Sequence, residues 1–275
     1  MRTLMLHGHG TSASIFQLQT SAFRSKLDDS FTFHFLDGFY TAPPAPGTDI
    51  VFGSKNSQVN NSFTWFATYD LTSVLDAIKK IDEYIQLNGP FDCVCGFSQG
   101  CSLAASLLLY SRQEGRCPPF KSAVFICGGV SFEVLENLGL RVPQIARDIS
   151  KETGRVLQAR ASVLARLATD LDQIEKGVGL WDDTDGLIHD PTALPALSDC
   201  FGLDLTAFSR EVMIDIPTVH IYGGRDPRWP SSVQLAYLCD SDKRTTLDHG
   251  GGHDIPRLTG VSRDIADTFR KLKAV

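Results

Sequence analysis

One pentapeptide in this chain has the residue types and spacing for nucleophilic chemistry: Gly96-Phe97-Ser98-Gln99-Gly100, which fits G-x-S-x-G. A serine at a sharp strand-to-helix turn is held in a strained backbone conformation that exposes its hydroxyl. Glycines two positions to either side remove the steric conflict. The flanks agree with that geometry. The apolar Cys93-Val94-Cys95 reads as a strand running into the turn, and Cys101-Ser102-Leu103-Ala104-Ala105 reads as a close-packing helix leaving it. The N–H of Gln99 then sits at a helix N-terminus, where it can stabilise a developing oxyanion.

A serine hydroxyl needs a general base, and the base needs an acid to orient it. Around an elbow of this kind the chain order is Ser, then Asp or Glu, then His. Two histidines compete in Asp248-His249-Gly250-Gly251-Gly252-His253-Asp254-Ile255-Pro256. His253 is favoured, because the glycine run before it lets its ring reach across to Ser98, whereas His249 lies nearer the strand end. The acid belongs in the loop after the preceding strand, and Gly223-Gly224-Arg225-Asp226-Pro227 makes it Asp226. Asp248 is too close to His253 in sequence, and Asp215 lies ahead of the strand. The glycine-rich Leu6-His7-Gly8-His9-Gly10 follows the first strand and offers a second oxyanion donor. The N–H of His9 is the best candidate, with Gly10 and Thr11 as neighbours. His7 and His9 lack the further ligands of a metal site, so His7 reads as a structural residue bonded to backbone, and neither metal nor cofactor is expected.

These groups need a scaffold. Strands are expected at Arg2–Leu6, Phe31–Leu36, Phe91–Phe97, Ser122–Cys127, Pro217–Tyr222 and Arg244–Leu247. Helices are expected at Ile15–Leu27, Leu71–Leu87 (N-capped by Asp70), Gln99–Tyr110 and Ser262–Leu272. Such alternation implies one α/β domain over 1–275, with a mainly parallel sheet covered on both faces. Residues 38–64, with Pro43-Pro44-Ala45-Pro46-Gly47, read as a long polar loop. Residues 130–212 exceed what a single crossover requires and read as a helical lid inserted over the sheet, the alternative being two ordinary crossover helices joined by a long loop. Within it, Arg155–Glu175 carries a stripe of Val156, Val163, Leu164, Leu167, Leu171 and Ile174. Leu180–Asp204, with Trp181, Pro191 and Pro195, is mixed.

Composition bounds the partners. The chain has 275 residues, 26 basic and 32 acidic, for a net charge of −6, and no basic run. That gives no electrostatic reason to expect nucleic acid or an anionic membrane. No stretch approaches a membrane span, and the short apolar run at Leu4-Met5-Leu6, broken by His7, is too short for a signal-peptide core. The seven cysteines are an odd number, mostly in apolar stretches, and read as free thiols in a reducing, cytoplasmic setting.

Leu6-His7-Gly8, Phe35-Leu36-Asp37-Gly38, Gly96-Phe97-Ser98-Gln99-Gly100, Gly224-Arg225-Asp226 and Gly252-His253-Asp254-Ile255-Pro256, in this order, resemble the fungal serine hydrolase (FSH) family. That family is related to carboxylesterases and acyl-protein thioesterases. The resemblance covers 1–127 and 214–275 and implies an α/β-hydrolase fold with a Ser-Asp-His triad. Several members of the family resemble thioesterases that release or trim polyketide chains. On that footing the substrate is a small-molecule or carrier-protein-bound acyl group, with a polyketide synthase as the implied partner. In the family, the segment matching Asn60-Asn61-Ser62-Phe63-Thr64-Trp65-Phe66 carries an aromatic residue near the active site. Trp65 and Phe66 are therefore candidate substrate contacts or loop anchors, and Trp229 is a further candidate for the pocket wall. Two rival readings stand beside ester or thioester hydrolysis: a non-hydrolytic cyclase or isomerase acting on a reactive polyketide, and a binding module without turnover.

Overall fold

The structure, a computed structural model, describes residues 1–46, 48, 62–169 and 181–274, with the backbone alone over 164–169. Gly47, Asn60, Asn61, Leu171, Ile174, Glu175 and Leu180 lie outside the described residues, and the side chains of Leu164 and Leu167 lie outside the description too.

Six strands form one parallel sheet: β1 (Arg2–Leu6), β2 (Thr32–Leu36), β5 (Cys93–Phe97), β6 (Ser122–Ile126), β7 (Thr218–Tyr222) and β8 (Arg244–Asp248). Their spatial order is β2-β1-β5-β6-β7-β8. The period-2 alternation of side chains divides them between two cores. Leu4, Leu6, Val94 and Phe125 point to one face, under the helices Leu71–Asn88, Gln99–Gln113 and Trp229–Tyr237. Met5, Cys93, Cys95, Val124 and Ile126 point to the other, under Phe16, Phe23 and the closing helix Thr259–Ala274. Both faces are buried, so the central strands are apolar almost throughout rather than alternating.

The order reverses between β1 and β5, and the crevice of such a sheet opens at a reversal point, beyond the carboxyl ends of the strands. His7 follows β1, Ser98 follows β5, Cys127 follows β6, Gly223 follows β7 and His249 follows β8. Every loop with chemistry in it therefore leaves the sheet along one edge. Asp70 caps the helix Leu71–Asn88, accepting from the Ser73 N–H at 2.9 Å.

The structure departs from the sequence reading at the unexpected helix Trp229–Tyr237 and in four further places. The helix expected over Ile15–Leu27 is two, Ala13–Gln19 and Ser21–Arg24. Thr20 marks the break, its hydroxyl donating back to the Phe16 carbonyl at 2.8 Å. The loop 38–64 has strands at its ends, β3 (Tyr40–Ala42) and β4 (Ser62–Thr64), paired antiparallel. The long helix of the insertion begins earlier than expected and runs Gln144–Thr169, and a short helix, Phe132–Asn137, precedes it. Beyond Trp181 the described part of the insertion holds only two 3₁₀ turns, Leu197–Asp199 and Leu205–Ala207. All seven cysteines are free, and only Cys117 is exposed. Among the described residues no helix is long and apolar enough to cross a membrane.

Candidate active site

Ser98 occupies the turn between β5 and the helix Gln99–Gln113 with φ +51° and ψ −113°, a conformation that a non-glycine residue adopts only under constraint. Two things impose it. The Ser98 N–H donates to the Ile126 carbonyl at 2.9 Å, and the helix is pressed against β1. A Cβ on Gly100 would lie 2.1 Å from the Leu6 carbonyl oxygen, and one on Gly96 would lie 2.6 Å from the Cys101 nitrogen. The two glycines of the pentapeptide are therefore packing requirements of this turn.

His253 reaches Ser98 from the loop after β8. Its Nε2 lies 3.0 Å from the Ser98 Oγ, and its Nδ1 lies 2.8 Å from an Asp226 carboxylate oxygen. Asp226 is fully buried, and its other oxygen accepts from the Arg228 N–H at 2.7 Å. A carboxylate that accepts a hydrogen bond from Nδ1–H fixes the tautomer in which Nε2 accepts from the serine hydroxyl. The rival groups are engaged elsewhere. The buried His249 ring lies 3.8 Å from the Cys127 sulfur and 3.9 Å from Asp254. Asp248 accepts from the N–H groups of Gly224 and Gly250, and Asp215 pairs with Arg112 at 3.1 Å. Burial lowers the pKa of His249 and raises that of Asp254.

The Cys127 thiol, the Asp226 carboxylate and the His253 ring lie within 4.8 Å of one another. As a metal site the set is poor. The histidine and aspartate atoms are already hydrogen-bonded to each other, and burial pushes the Cys127 thiol far above its ordinary pKa.

His9 and Gln99 both line the cleft beside Ser98. Among the described residues, no acceptor takes the backbone N–H of either. The loop carrying His9 is fixed from beneath. His7 is buried, donates from Nδ1 to the Gly8 carbonyl at 2.7 Å and accepts the Gly38 N–H on Nε2 at 2.9 Å. Burial lowers its pKa, consistent with a neutral ring. The Gln99 side-chain oxygen accepts from the Thr64 hydroxyl at 3.0 Å and the Trp65 N–H at 3.1 Å, which ties the elbow to the end of the 38–64 loop.

The aromatic candidates divide. Phe66 lines the cleft, but Trp65 and Trp229 do not. Trp65 is fully buried, and its indole N–H donates to the His7 carbonyl at 2.7 Å, so it anchors the loop below His9. Trp229 is 1% exposed and stacks on His189 at 4.7 Å, in the first turn of the helix Trp229–Tyr237, which is absent from the elements expected from sequence. Each indole sits one layer behind the cleft wall.

The cleft itself holds about 470 Å³. Phe66, Val74, Val130 and Phe132 supply apolar lining, and Arg147, Lys151 and Leu157 line it from the helix Gln144–Thr169. Part of the segment 130–212 thus lines the cleft. Another part rests on the catalytic-side loops. A Cβ on Gly252 would lie 1.9 Å from the Trp181 ring, His189 donates to the Gly224 carbonyl at 2.9 Å, and Asp182 pairs with Arg225. Sequence reasoning missed Arg228, although it stands in the same loop as Asp226. Charge in a loop already assigned to the acid was the available signal.

Fold and site geometry together define an α/β-hydrolase. The chain matches the family model described as "Serine hydrolase (FSH1)" over residues 1–265 and belongs to that family. It is 31% identical over 260 residues to "Esterase FPY3" of Fusarium mangiferae, covering 94% of this chain and 89% of that one. It is 33% identical over 266 residues to "Esterase alnB" of Emericella nidulans, covering 93% and 90%. Among solved structures, EstE5 soaked with p-nitrophenyl butyrate aligns with a TM-score of 0.50 at 12% identity, over 100% of this chain and 77% of that one, a likeness of fold. The protein is an enzyme of the serine hydrolase, esterase type.

Proposed function

We propose that the enzyme cleaves an ester or thioester through an acyl-enzyme on Ser98, and that its substrate is a polyketide-type acyl chain to be released or trimmed, free or on a carrier protein of a polyketide synthase. One observation carries the mechanism: the continuous hydrogen-bonded line from Ser98 Oγ through His253 to the buried Asp226. In this reading His253 takes the serine proton as Oγ attacks the acyl carbon. Asp226 holds the ring and stabilises its charged form, and the N–H groups of His9 and Gln99 receive the oxyanion. His253 then protonates the departing alcohol or thiol. Water, deprotonated by the same ring, attacks the acyl-enzyme and restores Ser98. The cleft volume and its apolar lining suit an extended acyl group.

A fluorophosphonate is expected to label the enzyme at Ser98, and Ser98→Ala is expected to abolish both labelling and turnover. Full turnover by Ser98→Ala would overturn the nucleophilic mechanism in favour of a cyclase or isomerase using the same scaffold. Release from an acyl-carrier thioester, compared with short nitrophenyl esters, tests the leaving group. Equal or faster cleavage of the small esters would count against the carrier-bound substrate.

A further inference from the structure

The proposed chemistry uses Ser98, His253 and Asp226 and leaves the other charged side chains of the cleft unexplained. Cations outnumber anions among them, although the chain as a whole is acidic. Four formally charged side chains line the cleft: Glu133, Arg147, Lys151 and Arg228. Arg147 pairs with Glu133 at 3.2 Å and with Glu136, so one cation and one anion are spent on each other. Lys151 and Arg228 remain.

Arg228 is held there deliberately. One guanidinium nitrogen, Nη1, donates to the Ser150 carbonyl at 2.7 Å, the Ser150 hydroxyl at 3.2 Å and the Thr153 hydroxyl at 3.1 Å. The guanidinium therefore lies against the helix Gln144–Thr169, and a Cβ at Gly154 would meet that same nitrogen at 3.7 Å, an ordinary contact. All its protein partners are neutral oxygens on one nitrogen. Among the described residues, no carboxylate forms an ion pair with it. The nearest acid in its field, Asp226, has one oxygen on His253 and the other on the backbone N–H of Arg228. A guanidinium has five donors in a fixed fork suited to carboxylate or phosphate, and anchoring one end presents the rest. Withdrawing such a cation from water without an anion is unfavourable, as the lowering of its pKa by burial reflects. A substrate anion would offset that cost.

We infer that Arg228, with Lys151 beside it, forms a recognition site for an acidic group on the substrate, an oxyanion carried either on the acyl chain as a carboxylate or on the leaving group as a phosphate. The inference rests on the proposed hydrolysis at Ser98 and adds the class of substrate. Arg228 is a specificity residue in this scheme.

Two matched substrate pairs test it. The first is p-nitrophenyl hydrogen adipate against p-nitrophenyl heptanoate. The second is butyryl-phosphopantetheine against butyryl-pantetheine, which lacks the phosphate. The readout is the ratio of kcat/KM, acidic over neutral, within each pair, so a general loss of activity cancels. In the unmodified enzyme at least one ratio is expected to exceed that of Arg228→Met by about 10- to 100-fold, the size of a lost hydrogen bond to a charged group. A response in the adipate pair puts the anion on the acyl side, and a response in the phosphopantetheine pair puts it on the leaving group. Both ratios unchanged within about twofold, with Ser98 still labelled by fluorophosphonate, would overturn the site. An unlabelled Ser98 in the unmodified enzyme would overturn the hydrolytic reading instead. Should Arg228→Met fail to fold, Arg228→Lys and Lys151→Met carry the same ratio test: a reduced ratio supports the site, and two unchanged ratios overturn it.

Discussion

Trp65→Phe separates two roles for an aromatic side chain near a serine elbow. The indole is fully buried, and its N–H meets the His7 carbonyl at 2.7 Å. Phenylalanine cannot donate, so the substitution leaves a buried carbonyl without that partner, at a cost of about 1–3 kcal/mol. It also removes ring volume from a packed layer, which adds roughly 1 kcal/mol. Together these give a loss of about 2–4 kcal/mol, or a fall in Tm of roughly 5–10 °C for a chain of this size. The loop it anchors carries His9, the proposed oxyanion donor, so loosening it should lower kcat by up to about tenfold. KM across a series of nitrophenyl esters of increasing chain length should stay flat, because the ring does not line the cleft. Urea denaturation, thermal melts and steady-state kinetics on the ester series measure all three. A Tm unchanged within about a degree, together with a KM that rises with chain length, would refute the anchoring role and return Trp65 to the substrate.

Other perturbations follow from the same geometry. Asp226→Asn should retain fluorophosphonate-accessible Ser98 but lower kcat by about 10³–10⁴-fold, because the amide can stabilise the wrong imidazole tautomer; a loss under tenfold would contradict the assigned role. Gly100→Ala puts a Cβ 2.1 Å from the Leu6 carbonyl, in backbone that cannot yield cheaply, and should cost more than about 4 kcal/mol, read as loss of folded protein on expression or in urea titration. His220 is buried on β7, and desolvation pushes its pKa down to about 3 from 6.5. Between those values the unfolded chain binds a proton that the folded chain refuses, so stability falls as pH drops through that window. His220→Phe should remove about 2 kcal/mol of the difference in urea stability between pH 7 and about pH 4.5, and an identical pH dependence in the variant would refute it.

The sheet was legible because buried parallel strands write themselves as short apolar runs, and the elbow because Gly96 and Gly100 flank the serine at the spacing the turn demands. The triad geometry followed from chain order, since His253 and Asp226 sit in loops that must leave the sheet on the Ser98 side. What escaped was whatever depends on contacts distant in sequence. The first turns of the helix Gln144–Thr169 are obscured in the sequence by Lys151-Glu152-Thr153-Gly154, where a glycine reads as a break, yet the helix runs through it. Trp229-Pro230 reads as loop, but proline is at home in a first helical turn, and the indole turns inward onto His189. Trp65 and Phe66 are neighbours of one type, and only the fold decides that Phe66 lines the cleft while Trp65 holds the loop behind it.

The insertion touches the protein in two places with different consequences. Its long helix walls the cleft, while Trp181, His189 and Asp182 press on the loops that carry His253 and Asp226. One stretch of chain thus both walls the cleft and braces the loops of His253 and Asp226. Exchanging residues 130–212 for those of a relative would transplant a new cleft wall and, with it, a new seat for the base. Divergence toward new acyl groups in this fold would then proceed through paired changes, one facing the ligand and one facing Gly252, and a graft that carried only the first would bind its new substrate and turn it over slowly.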